Sequence, residues 1–197
     1  MEYAIVALVA YLLGSIPFAL VVVKAVEGVD IRTIGSGNVG ATNAYRAAGI
    51  VWAVIIFLLD MAKGFVSAFV PKLLFPDMTP WITIVGALCV ILGHLFPLWL
   101  KFKGGKGAAT GLGVLFALAW LPAATGFVLW FIVMKFSRYV SLATIITAVY
   151  IAIFSFLYYT SPHEQTINYF IAVLCALVIV MHRSNVRRLI KGEENKV

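Results

Sequence analysis

The chain has 197 residues, of which 63% are hydrophobic and 12% charged, and its mean hydropathy is +1.04. This composition excludes a water-soluble globular domain of such a size and indicates an all-α, polytopic integral membrane protein. The net charge of +7 is typical of basic loops on the cytoplasmic face of a membrane, so we do not expect nucleic-acid binding.

Seven apolar segments, each predicted to be a transmembrane helix, follow one another along what we take as a single domain, 1–197. They lie at about 3–23, 51–71, 81–100, 107–121, 122–134, 139–160 and 166–181. Glu2, rather than a positive cluster, precedes the first segment, and the apolar run is long enough to span. We therefore predict a membrane span kinked at Pro17 and no secretory signal.

The stretch 107–134 is long for one span and short for two, at about 1.5 Å per residue. Two helices joined by a turn at Leu121–Pro122 place almost all loop lysines and arginines on one side of the membrane. A single helix would move the loop 135–138 and the basic C-terminal tail to the other side, against the positive-inside rule. We therefore predict seven helices, with the N-terminus outside and the C-terminus in the cytoplasm.

The first polar motif, GSGNVGATNAYR at 35–46, lies between two apolar segments. Its glycines, Gly40 among them, allow the backbone to turn N–H groups toward a ligand. Its side-chain donors suit phosphate oxygens: Ser36, Asn38, Thr42, Asn43 and Arg46. A polar segment beside lipid is costly unless it lines a site, so the motif predicts an anion-binding site. The alternative is a glycine-rich re-entrant turn.

The second polar motif, KFKGGKGAAT at 101–110, places a glycine pair between two lysines just before a predicted helix. The residues are Lys103, Gly104, Gly105, Lys106, Gly107 and Thr110. Lysines, flexible glycines and a helix N-terminus together are typical of a phosphate cradle. It is not a Walker A loop, because glycine follows the second lysine of the cradle. The alternative is a basic loop followed by glycines that serve helix packing.

The third polar motif is HRSN at 182–185, after the last span. His182 and Asn185 are three positions apart, so on a helix they share a face. Histidine can transfer a proton near neutral pH and asparagine can orient it; the alternative is a histidine at the membrane interface. We expect Ser141 to face the same cavity, and His94 to be a packing histidine with its hydrogen bonds satisfied.

Other polar residues within the spans have structural interpretations. Asp60 and Lys63 are three positions apart in one span, where they can pair, and we predict that they support the polar site. Cys89 and Cys175 lie in apolar runs and are predicted to be buried and unpaired. The sequence has neither clustered aspartates for Mg²⁺ nor zinc-ligand spacing, so we expect no metal or other cofactor.

The three motifs in this order resemble the acyl-phosphate:glycerol-3-phosphate acyltransferase (PlsY) family. The resemblance covers the full length: SGNVGATNAYR at 36–46, KFKGGKGAAT at 101–110, and HRSN at 182–185 with Glu193 or Glu194 downstream. It implies transfer of a fatty acyl group from acyl phosphate to the sn-1 hydroxyl of glycerol 3-phosphate. The products would be lysophosphatidic acid and phosphate, in bacterial phospholipid synthesis at the cytoplasmic face of the inner membrane. An enzyme that makes acyl phosphate is a candidate partner.

For this reaction we expect residues 103–106 to hold the headgroup of glycerol 3-phosphate, with Gly107 and Thr110 as further substrate-binding residues. We expect acyl phosphate to be held by Ser36, Asn38, Asn43 and Arg46. Two polyanions repel each other strongly, so cations are needed to bring them together. The proton acceptor is either His182, oriented by Asn185, or the leaving phosphate. Direct transfer is favoured over an acyl-enzyme formed on Ser36 or Ser141.

Two other functions remain open at this point. A membrane transporter for phosphorylated or anionic solutes shares the broken polar segments and intramembrane charges, but it predicts polar access from both sides and internal repeats. A structural helper subunit would use the glycines for packing and leave the polar motifs unexplained.

Overall fold

The structure is a computed structural model that describes the whole chain apart from the side chain of His163. Its described residues form helices and no strands, which confirms the all-α class. The helices are α1 (Glu2–Gly14), α2 (Phe18–Glu27), α3 (Ala41–Leu74), α4 (Trp81–Leu95), α5 (Ala108–Leu118), α6 (Trp120–Ser137), α7 (Val140–Tyr158), α8 (Pro162–Met181) and α9 (Arg183–Lys191). Short 3₁₀ turns lie at Ile31–Thr33, Pro76–Met78 and Leu98–Leu100.

Every predicted apolar segment is helical, but the segments differ in length. Six stretches of the described chain are long and apolar enough to cross a membrane: Glu2–Glu27, Ala41–Leu74, Trp81–Leu100, Trp120–Ser137, Val140–Tyr158 and Glu164–Met181. The remaining predicted span, 107–121, corresponds to α5, which has 11 residues. At about 1.5 Å per residue this helix is much shorter than a hydrocarbon core of about 30 Å.

Prolines and glycines interrupt the long helices. The predicted kink at Pro17 is confirmed: α1 ends at Gly14 and α2 begins at Phe18, because proline lacks an N–H group and disfavours helix at the preceding residue. Gly49 interrupts α3 with φ 79°. The apolar part of α3 follows this glycine, in agreement with the predicted span at 51–71.

The predicted turn at Leu121–Pro122 is wrong. The break between α5 and α6 falls at Ala119, whose φ of −148° and ψ of 69° are not helical. Pro122 lies instead in the first turn of α6. Proline is well tolerated there because the first N–H groups of a helix have no partner within the helix.

The chain divides into two compact units, Met1–Ala117 (the N-terminal unit) and Leu118–Val197 (the C-terminal unit). The single-domain assignment stays a prediction. In the N-terminal unit α4 packs against α1 and α3, and α2 packs against α3. Glycines allow these close approaches: a Cβ on Gly64 would overlap the carbonyl oxygen of Thr110, and one on Gly14 would overlap that of Val90.

In the C-terminal unit α7 packs between α6 and α8, and α9 contacts α7 and α8. Trp130 Nε1 on α6 donates a hydrogen bond of 3.1 Å to Thr144 Oγ1 on α7. Helix α8 begins with a capping box between Ser161 and Glu164. The first of these contacts joins α6 to the start of α7, and the second orders the start of α8. The third motif lies at the other end of α8, at its junction with α9.

Candidate active site

Asn43 holds the first polar motif in shape. Its side-chain Nδ2 donates to the carbonyl oxygens of Ile31, at 3.1 Å, and Ile34, at 2.9 Å. Its Oδ1 accepts the N–H of Ser36 at 3.1 Å. The side chain is 1% exposed. The amide of Asn43 is thus engaged by the backbone of its own loop and holds that loop in shape. Its predicted contact with substrate stays a prediction.

The loop turns through glycines onto the start of α3. Gly35 and Gly37 have φ of 54° and 68°, in the left-handed region that favours glycine. The Gly37 N–H donates to Ile34 O at 2.9 Å, which closes the turn. Gly40 is the N-cap of α3, and no side chain of the described residues caps this helix. The positive end of the helix dipole therefore adjoins the loop, where an anion is stabilised.

Arg46 is a cation that the described residues leave unpaired. Its side chain is half-buried, and its stem runs beside Gly35, where a Cβ would lie 3.3 Å from Arg46 Cδ. Arg32 provides a contrast, because its guanidinium donates to Asp30 at 2.6 Å. These hydrogen bonds from Arg32 lower the pKa of Asp30 to about 2. Within this region Arg46, and not Arg32, is the arginine suited to bind a substrate anion.

Ser36 and Asn38 are the remaining polar side chains of the first motif. Ser36 is exposed and Asn38 half-buried, and the Asn38 N–H approaches Ser36 Oγ at 3.4 Å. A Cβ on Gly40 would lie 2.9 Å from Asn38 Nδ2. Both side chains are thus displayed on the glycine turn, next to the first turn of α3.

The glycine pair of the second motif lies against the end of α4. The Gly104 N–H donates to Leu95 O at 3.0 Å and the Gly105 N–H to His94 O at 3.1 Å. A Cβ on Gly104 would overlap the His94 carbonyl oxygen, and one on Gly105 would overlap the His94 ring. Glycine is therefore required at both positions by close packing against the end of α4. Gly107, with φ 80°, leads directly into α5.

The side chains of the second motif differ in exposure. Lys103 is exposed and its ammonium has no partner among the described residues, whereas Lys106 is half-buried. Thr110 is fully buried, and its Oγ1 shares a hydrogen bond of 3.0 Å with His94 Nδ1. Thr110 was predicted to contact substrate; its observed partner is the histidine. The prediction that His94 is a buried, hydrogen-bonded packing residue is confirmed.

A cleft in the N-terminal unit brings the first two motifs together. Val39 of the first motif and Gly105 of the second both line it. Its wall also includes residues from the α1–α2 break and from α4: Ile16, Pro17, Phe18 and His94. Leu100, just before the second motif, packs in the same apolar cluster as Val39 and Ala44. The two predicted phosphate-binding motifs therefore lie at the same end of this unit.

Asp60 and Lys63 form the predicted pair within α3, with 2.8 Å between Lys63 Nζ and Asp60 Oδ1. The Lys63 ammonium also donates to Gly14 O at 2.9 Å and to Ile16 O at 3.0 Å, so all three of its protons have acceptors. It satisfies carbonyls at the end of α1, near Pro17. In the described residues no group of three His, Cys, Asp or Glu side chains could hold a metal ion.

Glu194 organises the polar residues of the C-terminal unit. Its carboxylate accepts hydrogen bonds from Ser141 Oγ at 2.8 Å, Asn185 Nδ2 at 2.6 Å and Arg188 Nε at 2.6 Å. Burial raises the pKa of Glu194, but these three hydrogen bonds and the charge of Arg188 outweigh it, so the pKa lies below the ordinary 4.5. Glu194 is therefore ionised at neutral pH and ties α7 and α9 to the C-terminal tail.

The sequence left Glu193 and Glu194 as alternatives and assigned neither a role. Glu193 is exposed, whereas the side chain of Glu194 is 7% exposed. The available signal was a carboxylate shortly after the basic helix that carries Asn185 and Arg188.

His182 lies at the junction of α8 and α9 and is 6% exposed. Its Nδ1 is 2.7 Å from Val178 O. A carbonyl only accepts hydrogen bonds, so Nδ1 carries the proton and the acceptor lone pair is on Nε2. The Val178 carbonyl thus favours the tautomer of His182 with the proton on Nδ1. The orientation of His182 by Asn185 stays a prediction.

Comparison with known proteins finds relatives of one family that match this chain over nearly its whole length. A family model described as Glycerol-3-phosphate acyltransferase matches residues 4–192. The glycerol-3-phosphate acyltransferase of Aquifex aeolicus (strain VF5) is 41% identical over 187 residues, which cover 95% of each chain. That of Bordetella pertussis (strain Tohama I) is 44% identical over 195 residues, covering 95% of this chain and 88% of the relative.

Two crystal structures of PlsY (YgiH), described as an integral membrane glycerol 3-phosphate acyltransferase, are similar to this structure over its whole length. The glycerol 3-phosphate form has a TM-score of 0.92 at 39% identity and is covered over 96% of its chain. The lysophosphatidic acid form has a TM-score of 0.89 at 38% identity and is covered over 95%. With all three motifs inside the matched region, this chain belongs to the glycerol-3-phosphate acyltransferase family.

Proposed function

We propose that this protein is a multi-pass membrane enzyme that transfers a fatty acyl group from acyl phosphate to the sn-1 hydroxyl of glycerol 3-phosphate. The observation that carries the proposal is its likeness, over the whole chain, to PlsY structures in a glycerol 3-phosphate form and a lysophosphatidic acid form. These two molecules differ by one acyl ester, so an acyl transfer connects them. The donor is proposed from the two phosphate-binding motifs, which suit two phosphate-bearing substrates.

The second motif binds the phosphate of glycerol 3-phosphate in this proposal. The Lys103 ammonium is exposed, and Lys106, three residues after Lys103, directly follows the glycine pair. The glycine pair is held by hydrogen bonds to the end of α4, so the two lysines extend from a fixed backbone. Fixed cations bind an anion at a lower entropic cost than mobile ones.

The first motif binds acyl phosphate. Arg46 supplies a guanidinium that can contact two phosphate oxygens at once, and Ser36 and Asn38 add neutral hydrogen-bond donors. Gly40 leaves the start of α3 without a side-chain cap in the described chain. The cations offset the repulsion between the substrates, which is about 4 kcal/mol per unit-charge pair at 4 Å and an effective dielectric of about 20. Asn43 contributes by holding this loop.

The reaction proceeds by direct attack. The sn-1 oxygen forms an ester bond with the acyl carbonyl carbon, and the bond from that carbon to the phosphate oxygen breaks. The phosphate leaves with the electron pair. The hydroxyl proton goes to His182 Nε2 or to the departing phosphate, and the tautomer favoured by Val178 supports the first.

An acyl-enzyme on Ser141 is disfavoured by its surroundings. The Ser141 hydroxyl donates its proton to Glu194. The lowered pKa of Glu194 makes this carboxylate a weak base, so it activates the serine poorly. Ser36 has no side chain in the described residues placed to take its proton.

In this proposal the protein lies in a bacterial inner membrane. With the short helix α5 counted as the seventh crossing, the positive-inside rule supports motifs that face the cytoplasm and an N-terminus outside. The acyl chain would lie among membrane lipids, and an enzyme that makes acyl phosphate is the proposed supplier. Cysteines introduced at Ser36 and at Asp77, in an otherwise cysteine-free chain, test the orientation. A thiol reagent that cannot cross the membrane should label the second and not the first in intact cells.

Steady-state turnover of the purified protein tests the proposed donor. Glycerol 3-phosphate is supplied with palmitoyl phosphate or, separately, with palmitoyl-CoA, and lysophosphatidic acid is measured. Product from palmitoyl phosphate alone is the expected result. Product from palmitoyl-CoA would overturn the donor assignment, and no product from either donor in folded protein would overturn the acyltransferase proposal.

A further inference from the structure

His94 contacts the second motif at its glycine pair and at its last residue. Its backbone carbonyl accepts the Gly105 N–H at 3.1 Å. Its ring lies so close to Gly105 that a Cβ at this glycine would overlap Nε2. On the other side of the motif, His94 Nδ1 shares a hydrogen bond of 3.0 Å with Thr110 Oγ1 in the first turn of α5. One buried side chain thus spans the segment that carries Lys106.

The pair formed by Asp60 and Lys63 lies next to the ring of His94. Asp60 Oδ1 lies 3.6 Å from His94 Nδ1 and 2.8 Å from Lys63 Nζ. The Asp60 and Lys63 side chains are only 3% and 2% exposed. The remaining protons of Lys63 are engaged by backbone carbonyls at the end of α1, so this ammonium has no donor left for a substrate. The carboxylate of this pair therefore lies beside the histidine ring, at a distance that allows an electrostatic contact but no hydrogen bond.

We propose that His94 is a positioning residue for glycerol 3-phosphate, and that it acts by fixing the backbone of residues 103–107. The inference rests on the proposed function, because it concerns the site that binds that substrate. The ring sets where Gly105 and Thr110 lie relative to α4, and these two residues bracket Lys106. A displacement of about 1 Å in a binding loop is enough to cost about 10²-fold in rate.

The two neighbouring glycines allow a sharp test. The three atoms nearest to a methyl group at Gly105 would all belong to the His94 ring, whereas a methyl group at Gly104 would meet the His94 carbonyl oxygen and Pro97 Cδ. Shortening His94 to alanine therefore removes the clash at Gly105 and leaves the clash at Gly104. The experiment measures KM for glycerol 3-phosphate and for palmitoyl phosphate in Gly105→Ala and Gly104→Ala, each with and without His94→Ala.

We expect Gly105→Ala to raise KM for glycerol 3-phosphate about tenfold in the wild-type background and less than about twofold in the His94→Ala background. Gly104→Ala should raise it in both backgrounds, and KM for palmitoyl phosphate should change less than about twofold throughout. An equal effect of Gly105→Ala in both backgrounds would overturn the inference. So would equal changes in KM for both substrates.

A second set of variants keeps the test valid if His94→Ala does not fold. Thr110→Val removes the partner of His94 and should raise KM for glycerol 3-phosphate, and Thr110→Ser should restore it. Thr83→Val is the matched control. Thr83 lies on the same helix as His94 and is 3% exposed, and its hydroxyl has no hydrogen-bond partner in the described chain. If Thr110→Val behaves like Thr83→Val, the positioning role is refuted.

Wild-type turnover separates this inference from the proposed function. A wild-type protein that makes no lysophosphatidic acid refutes the proposed function itself. An active wild type, in which the effect of Gly105→Ala is independent of His94, refutes the positioning role alone.

Discussion

Replacing Glu194 with alanine should destabilise the protein strongly, whereas the same change at Glu193 should not. Glu194 accepts hydrogen bonds from Ser141, Asn185 and Arg188, and its side chain is 7% exposed. Its removal leaves three donors without an acceptor in a partly buried place. Glu193 is exposed and adjacent in sequence, which makes Glu193→Ala the matched control.

The magnitude follows from the number and kind of these hydrogen bonds. A hydrogen bond to a charged group contributes about 1.5–3 kcal/mol to the free energy of unfolding. Water can reach part of the space left by the carboxylate, so the three bonds together should contribute less than their sum, about 2–4 kcal/mol. For a chain of this size, each 1 kcal/mol corresponds to about 2–4 °C in Tm. We therefore expect Glu194→Ala to lower Tm by about 5–15 °C.

The two free cysteines provide the assay. Cys175 is buried and Cys89 is partly buried, so a thiol-reactive fluorophore should report unfolding of detergent-solubilised protein as the temperature rises. Glu193→Ala should change Tm by less than about 2 °C, as expected for a surface substitution. Equal shifts for the two variants would refute the role of Glu194 as the residue that joins α7, α9 and the tail.

The pH dependence of Tm gives an independent check on the charge of Glu194. Its pKa in the folded protein lies below the ordinary value of 4.5, so its stabilisation is complete above about pH 4.5 and is lost as the pH falls through the folded pKa. Glu194→Gln removes the charge at every pH. The difference in Tm between wild type and Glu194→Gln should therefore narrow below about pH 4.5, and a constant difference would contradict this account.

Three further predictions concern catalysis. His182→Ala should lower kcat by about 10²–10⁴-fold if His182 is the base, and a loss below about tenfold would assign the proton to the phosphate. Arg46→Ala should raise KM for palmitoyl phosphate by about tenfold or more, roughly in line with the energy of a charged hydrogen bond. Arg46→Lys should raise it by less, because lysine keeps the positive charge although it cannot make a two-point contact. Arg32→Ala is the control and should leave both KM values nearly unchanged, because Arg32 is paired with Asp30; an effect equal to that of Arg46→Ala would refute the assignment. Asn43→Ala should lower kcat and raise both KM values, because it releases a loop and removes no substrate contact. An increase in KM for one substrate alone would instead indicate that Asn43 binds that substrate directly.

The fold could be predicted largely from hydropathy, because each transmembrane helix needs a long apolar run and the chain has few others. The position of the break between the two helices in 107–134 could not be predicted in this way. Proline fits both a turn and the first turn of a helix, and the packing around Ala119 decides between them. The length of α5 could not be predicted either, because the residues on both sides of that break are apolar.

The motifs could be located from their polar composition, but not which side chains face substrate. Asn43 and Thr110 have the same chemistry as ligands, yet both are buried and hydrogen-bonded within the protein. Which way a side chain points depends on the loop conformation, which no local spacing specifies. The contact of His94 with Gly105 joins residues from a helix end and a loop, and only the folded chain reveals it.

A rapid-quench measurement with enzyme in excess of labelled palmitoyl phosphate tests direct transfer most closely. Labelled lysophosphatidic acid, free phosphate and protein-bound acyl group are quantified with and without glycerol 3-phosphate, in the absence of added metal. We predict that lysophosphatidic acid and phosphate appear at equal rates only when glycerol 3-phosphate is present, with no acyl group on the protein at any time. Protein-bound acyl group that forms without glycerol 3-phosphate and disappears when it is added would contradict direct transfer, and an absence of lysophosphatidic acid would contradict the proposed reaction.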